Sequence, residues 1–145
     1  MAHSITHLVY KYDIRPNRRK TTSNHRPGDL FWQSRDFGYT WSRDGKFILF
    51  VQDKAGDENY QVYAVDPAAT PAAGEKVPAA RNLTDVEGVR AFIYGIPKSN
   101  PDLLYVGMND RDPSWHDLYQ VSISTGKRTL LKENTEQITG WDFDR

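Results

Sequence analysis

The sequence predicts an all-β protein built from four-stranded antiparallel units. Short aromatic and β-branched runs alternate with segments that contain Gly, Pro, Asp and Asn, a pattern typical of strands and turns. No stretch keeps the apolar i, i+3, i+4 spacing of an amphipathic helix. Hydrophobic residues make up only 38% of the chain, but aromatic residues reach 12%, which favours sheets that bury large rings on one face.

A third observation is an internal repeat with a spacing of 56 residues. Residues 44–54 (DGKFILFVQDK) align with residues 100–110 (NPDLLYVGMND), and without a gap Tyr63 then falls on Tyr119. Repeats of about 40 to 55 residues with several strands per unit are typical of propeller blades. The sequence therefore predicts a partial β-propeller with two blades and the start of a third.

The first predicted blade covers residues 37–85. Asp44-Gly45 is a turn between a strand that starts near Tyr39 and a second strand over 47–51 (FILFV). A polar loop then leads to a third strand at 60–65. Residues 66–80 are small and rich in Pro, so we expect an extended surface loop too poor in large side chains to pack, followed by an outer strand over 79–84.

The second predicted blade covers residues 87–132. Its polar segment 109–115 is predicted to be a loop, and a tight turn is expected at 124–127. Residues 137–145 begin the next blade, with a predicted inner strand at 138–143. The strands of the second blade are predicted at 89–96, 103–108, 116–123 and 128–132.

Residues 1–36 are predicted to be a basic leader or linker. A strand is expected at 5–12, and the following RPNRRKTTSNHRPGD has loop composition. Residues 1–37 carry four more positive than negative charges, and the remainder carries the opposite surplus. Such an arm could bind nucleic acid or an acidic partner, but we favour a solvated leader and expect no nucleic-acid partner.

Cysteine is absent, which excludes disulfides, thiol catalysis and cysteine-ligated metals. No run approaches the roughly 18 apolar residues of a membrane span, and the N-terminus lacks the apolar core of a secretory signal. We therefore expect a cytoplasmic protein with no membrane partner.

Four stretches resemble the N-terminal propeller of prolyl oligopeptidase family serine peptidases, above all the bacterial acylaminoacyl-peptidase and dipeptidyl-peptidase group. They are DGKFILFVQDKAGDENYQVYAVD, RNLTDVEGVRA, GMNDRDPSWHDLYQVSISTGKRTLL and GWDFDR, and the resemblance covers about residues 38–145. It implies seven or eight blades in the whole enzyme, where the propeller caps an α/β-hydrolase domain and filters peptide substrates by size.

The chain itself lacks the catalytic apparatus that the resemblance implies. It contains no G-x-S-x-G nucleophile elbow, so no Ser-Asp-His triad residue is carried over, and no cofactor is expected. We predict a non-catalytic, substrate-gating propeller segment of a peptide-hydrolysing enzyme. The alternatives are a stand-alone propeller-repeat module that binds a protein, and a hydrolase or metal enzyme of unrecognised type.

Two oxygen-rich loops are the main candidates for a functional site. Such loops can bind calcium, but they lack EF-hand spacing and contain cations, so turn formation is the simpler interpretation and no metal is predicted. In the family they would lie near one rim, where they could line the channel or contact the hydrolase domain. The candidate channel or interface residues are Glu58, Asn59, Arg111, Asp112 and His116.

His116 is also a candidate catalytic base by residue type. Strand geometry places Asp117 on the opposite face of the sheet, and the repeat aligns His116 with Tyr60, so a packing role is favoured.

Two blades alone leave apolar faces and strand edges open. We therefore expect either self-association or packing against the α/β-hydrolase domain that the resemblance implies.

Overall fold

Two four-stranded antiparallel sheets make up the computed structural model, which describes residues 39–143 of the 145-residue chain. That range contains no helix, so the all-β prediction is confirmed. The expected strand at 5–12 lies outside the described residues. The first sheet has the order β1 (Tyr39–Trp41), β2 (Ile48–Gln52), β3 (Gln61–Val65) and β4 (Arg81–Asn82), and the second β5 (Ala91–Gly95), β6 (Leu103–Asp112), β7 (Trp115–Ser122) and β8 (Arg128–Lys132).

The central strand pairs of the two sheets share one register. Ile48 pairs with Val65 in the first sheet, and Leu104 pairs with Val121 in the second. Every one of the β2–β3 pairs recurs between β6 and β7 at the same spacing of 56 residues. The internal repeat found in the sequence is therefore a structural repeat.

The two sheets pack face to back rather than front to front. We call the side that carries Ile48 and Phe50 the front face of the first sheet, and the side of the equivalent Leu104 and Val106 the front face of the second. The front face of the second sheet packs against the back face of the first in one continuous core cluster. The back-face residues in that cluster are Leu49, Val62 and Ala64, none more than 3% exposed.

A smaller cluster covers the front face of the first sheet. Phe50 stacks on Tyr63 with ring centroids 5.2 Å apart, and Ile48 and Val65 complete the buried group. Val77 is 2% exposed and belongs to this cluster. The prediction that residues 66–80 cannot pack is wrong here, because Pro67 and Pro78 are also buried and Ala80 packs against the same cluster as Val77.

The inner strand of the second sheet departs from the repeat. A bulge between Ile93 and Gly95 shifts its register against β6. The Tyr94 ring lies over Gly107, where an added Cβ would stand 2.7 Å from the Tyr94 Cζ and Oη atoms. Gly107 thus makes room for the Tyr94 ring.

The predicted loop at 109–115 is wrong. β6 continues to Asp112 and β7 begins at Trp115, so only Pro113 and Ser114 form the turn. The Asp112 carboxylate accepts a hydrogen bond from the Ser114 amide at 2.9 Å, which closes the hairpin. Asn and Asp residues favour loops in a sequence, but here they lie on strands whose pairing is interrupted by a bulge.

Two predicted strands differ from the structure. The outer strand expected at 79–84 is reduced to Arg81–Asn82. Residues 138–143 form no strand, and the Asn134 side chain is hydrogen-bonded to both the amide and the carbonyl of Ile138. The expectation that a third blade begins here stays a prediction.

All five residues of β8 are exposed at the edge of the second sheet. Hydrogen bonds tie the two sheets together at both ends. The Ala91 amide donates to the Tyr60 carbonyl at 2.7 Å, and Arg43 Nη2 donates to the Ile96 carbonyl at 2.7 Å. Residues 39–143 include no helix long and apolar enough to cross a membrane.

Candidate interaction rim

Three segments form one rim of the paired sheets. They are the β2–β3 loop at 53–60, the connector between sheets at 83–90, and the tip of the β6–β7 hairpin at 109–116. The first and third of these are equivalent by the repeat, so they emerge at the same end of their sheets. All five predicted site residues therefore lie on this rim.

The buried side-chain amide of Gln61 holds the connector at 83–90, which leaves the first sheet. The Gln61 side chain is almost fully buried, and its Nε2 donates to the Val89 carbonyl at 2.6 Å. Its Oε1 accepts a hydrogen bond from Thr84 Oγ1 at 3.0 Å, and the same hydroxyl accepts the Val62 amide at 3.0 Å. These bonds fix the path of the chain into the second sheet.

The buried carboxylate of Asp117 holds the chain that leaves the second sheet after β8. Asp117 is 1% exposed and accepts two hydrogen bonds of 2.8 Å from Arg111, together with the Asn134 amide at 2.7 Å. The Arg111 hydrogen bonds hold the pKa of Asp117 below its ordinary value, against the opposing effect of burial. Arg111 also donates to the Asn134 carbonyl at 3.2 Å. Arg111 is thus engaged in neutralising Asp117.

Arg90 bridges the two sheets at the rim. Its Nε donates to the Glu58 carbonyl at 3.1 Å, its Nη2 lies 3.8 Å from Glu58 Oε2, and its guanidinium stands 6.0 Å from the centre of the Tyr60 ring. Its amide donates to Asn109 Oδ1 at 2.7 Å. The sequence did not single out Arg90, since an arginine within a predicted strand carries no local signal of a partner 32 residues earlier.

His116 packs rather than forming a catalytic group. Its ring is half-buried and lies 4.8 Å from the Phe92 ring. Burial lowers the pKa of His116 and the Arg90 charge lowers it further, while a hydrogen bond to the Arg90 backbone and the Asp117 charge oppose the shift. Its buried Nε2 has no hydrogen-bond partner within the described residues.

The described serines are not arranged for nucleophilic chemistry. Ser42 donates to Asp44 at 2.6 Å, and Ser122 and Ser124 both donate to Asp102. A serine nucleophile needs a base that takes its proton, and His116 contacts a phenylalanine instead. These three serine hydroxyls therefore serve local hydrogen bonds to carboxylates.

An open acidic groove lies beside the β2–β3 loop. Asp57 accepts hydrogen bonds from the amides of Asn59 at 3.0 Å and Lys54 at 3.2 Å, and the Asn59 bond in particular lowers the pKa of Asp57. These bonds build the turn. Among residues 39–143 no group of three or more acidic or histidine side chains is arranged to hold a metal ion. The carboxylates lining the groove are Asp53, Asp57, Asp85 and Glu87.

The five predicted site residues share a rim but do not converge on one site. Glu58 and His116 meet a common neighbour, Arg90. Asn59 and Asp112 shape turns, and Arg111 belongs to the Asp117 cluster.

The fold and rim define a repeat of two antiparallel four-stranded sheets, and no family model matches the chain. The chain is 39% identical over 106 residues to dipeptidyl aminopeptidase BIII of Pseudoxanthomonas mexicana, a match that covers 73% of this chain and 14% of that protein. It is 31% identical over 96 residues to dipeptidyl peptidase family member 6 of Caenorhabditis elegans, covering 66% of this chain and 13% of that protein.

These relatives confirm the dipeptidyl-peptidase part of the resemblance that the sequence motifs indicated. The chain spans about one seventh of the length of the curated relatives it matches. The homologues of this chain are thus dipeptidyl aminopeptidase and dipeptidyl peptidase proteins, and the similarity lies in a segment of each.

Proposed function

We propose that this chain is a non-catalytic segment of a dipeptidyl-peptidase-type serine enzyme, in which it forms two blades of a substrate-gating propeller. The observation that carries the proposal is the β2–β3 register, which recurs in β6–β7 at a constant spacing of 56 residues in a chain homologous to dipeptidyl peptidases. Peptide hydrolysis belongs to the whole enzyme and depends on residues outside this chain.

In this proposal the rim faces the peptide route or the hydrolase domain. Arg90 and Glu58 are the groups suited to that position, because they join the two sheets and remain partly open to solvent, with 40% and 74% of their side chains exposed. Arg111 acts indirectly, since its bonds to Asp117 fix the hairpin tip.

The test compares hydrolysis of a chromogenic dipeptide amide by this chain and by the protein that contains it. We expect no hydrolysis by the chain at any concentration. We expect hydrolysis by the containing protein, with loss of activity after treatment with a fluorophosphonate that labels a serine outside residues 1–145. Hydrolysis by the isolated chain above the buffer rate contradicts the proposal, and so does a containing protein that fails to hydrolyse dipeptide amides.

A stand-alone binding module is the second candidate, favoured by the exposure of Phe92 at 42% on the second sheet. It requires that the 145-residue chain be stable and monodisperse by itself. Light scattering after size exclusion separates the two candidates: a monomer of 16.7 kDa with low apolar-dye binding favours the module, and self-association or strong dye binding favours the segment.

A further inference from the structure

The His116 ring sits in a place that fits only its neutral form. One ring nitrogen, Nδ1, is hydrogen-bonded to the backbone of Arg90. The other, Nε2, is buried and has no hydrogen-bond partner within residues 39–143. The ring lies 4.8 Å from the Phe92 ring, with the two planes tilted by 43°. A proton added to Nε2 would therefore create a buried donor without an acceptor.

The charges around His116 come from three parts of the fold. On β5 the Arg90 guanidinium disfavours a second positive charge. On β7 the Asp117 carboxylate favours one, but it already accepts two hydrogen bonds of 2.8 Å from Arg111 on β6. On the β2–β3 loop the Glu58 carboxylate lies 3.8 Å from Arg90 Nη2. The nearby carboxylates are thus already opposite to arginines.

Arg90 and Ala91 carry the contacts that join the two sheets at this rim. The Ala91 amide donates to the Tyr60 carbonyl at 2.7 Å, and Arg90 Nε donates to the Glu58 carbonyl at 3.1 Å. The Arg90 guanidinium also stands 6.0 Å from the centre of the Tyr60 ring. We call these contacts the rim clasp. His116 supports the clasp, because its ring is bonded to the backbone of Arg90.

The Glu58 side of the clasp resists opening only weakly. Glu58 has a φ of 58°, a left-handed backbone conformation that is unfavourable for a residue with a side chain. Its side chain is 74% exposed, and its carboxylate is beyond hydrogen-bond distance of Arg90. Such exposed ion pairs contribute little to stability. The support from His116 therefore matters for keeping the clasp closed.

We propose that His116 is a proton-operated switch that opens the rim clasp in acid. The neutral imidazole stays on Phe92 and holds the Arg90 backbone. The protonated imidazole turns out to solvent, towards the hairpin tip that carries the carboxylates of Asp110 and Asp112. The inference goes beyond the proposed function, because every group of the switch belongs to this chain.

Amide hydrogen exchange, followed by NMR in the 145-residue chain at pH 7.5 and 5.5, tests the switch. The rates are corrected for the intrinsic pH dependence of exchange. The Ala91 amide reports the clasp. The Leu83 amide is the matched reference, since it donates to the Val62 carbonyl at the same distance of 2.7 Å within the first sheet.

At pH 5.5, about one unit below the ordinary histidine pKa of about 6.5, proton linkage allows the clasp to open up to about tenfold more often. We expect the Ala91 amide to exchange about five- to tenfold faster at pH 5.5, and the Leu83 amide to change by less than about twofold. An Ala91 rate that does not respond to acid overturns the proposal. An equal increase at Leu83 also overturns it, because it would show global unfolding.

Two variants assign the effect to the imidazole. His116→Phe keeps a ring on Phe92 but cannot be protonated, and His116→Gln keeps a neutral hydrogen-bonding side chain if the new ring disturbs the packing. In both, the acid effect on the Ala91 amide should disappear. The histidines at positions 3, 7 and 25 remain in every variant. An acid effect that persists in both variants would belong to another group and overturn the role of His116.

Discussion

Gln61 and Asp117 hold equivalent positions in the two sheets and perform the same task with different chemistry. Each is buried and each holds the connector that leaves its sheet, Gln61 through Thr84 and Asp117 through the Asn134 amide. The amide needs no counterion. The carboxylate does, and Arg111 provides it with two bonds of 2.8 Å.

Replacing Asp117 by Asn should destabilise the chain by about 2 to 3 kcal/mol, because it leaves the Arg111 charge without a partner in a partly buried site. The expected loss stays at the lower end for a buried pair, since 38% of the Arg111 side chain is exposed. Urea unfolding measures the effect. Glu136→Gln breaks the exposed pair with Lys132 and is the control, with an expected change below about 1 kcal/mol. Equal effects of the two substitutions would contradict the role given to Asp117.

Replacing Gln61 by Leu should lower the free energy of unfolding by about 1 to 3 kcal/mol, because the Val89 carbonyl and the Thr84 hydroxyl lose a hydrogen-bond partner in a buried site. The connector between the sheets should also open more often. Amide hydrogen exchange over 83–90 measures this opening, and exchange within β6 and β7 serves as the internal reference. Faster exchange in β6 and β7 to the same extent would show global unfolding and contradict a local latch.

Acidification from pH 7 to 5 should weaken the folded state through His116. Its folded pKa is lowered below the value of about 6.5 that it has in the unfolded chain. The unfolded state therefore binds more protons in this window, and stability falls as pH falls. His116→Phe should flatten the pH dependence of urea unfolding between pH 5 and 7. The other three histidines, at positions 3, 7 and 25, remain in that variant and control for their own titration.

Removing a neighbouring charge tests the cause of the His116 shift. Arg90→Gln should raise the pKa of His116 towards 6.5, because the arginine charge disfavours the protonated imidazole. Imidazole proton shifts in NMR spectra follow this titration. An unchanged pKa would leave burial as the only cause.

Replacing Gly107 by Ala should destabilise the chain by about 1 to 3 kcal/mol, because the new methyl group meets the Tyr94 ring. Thermal unfolding measures the loss. The double variant Gly107→Ala with Tyr94→Leu should recover part of it, as the shorter side chain no longer lies across position 107. Gly140→Ala is the matched control, since its Cβ meets nothing within 4 Å, and it should change stability by less than about 0.5 kcal/mol.

The sequence predicted the repeat because apolar residues with a period of two point to one face of a strand whatever the loops do. Ile48 and Phe50 share a face by that rule, and so do the equivalent Leu104 and Val106. The prediction for the hairpin tip is wrong, because Asn109 and Asp110 favour turns locally but lie on β6, between Met108 and Asp112, where the pairing with β7 is interrupted by a bulge.

The family resemblance placed the candidate site residues on one rim, but the sequence could not predict which side chains they contact. Arg90 and Glu58 are far apart in the chain and meet only because the second sheet packs against the first. Arg111 was expected to face a channel or an interface. Its bonds to Asp117 depend on a buried acid, and exposed and buried carboxylates are not distinguished by sequence pattern alone.

The exposed strand β8 carries positive charges at its two ends. Arg128 and Lys132 are its first and last residues, and Lys127 precedes it. Cations along an open strand edge repel the same edge of another molecule, which opposes fibril-like growth by strand addition. At ionic strengths near 1 M this repulsion is screened within about 3 Å. In concentrated salt the charges of β8 should therefore no longer prevent strand addition, and aggregation should start at this edge.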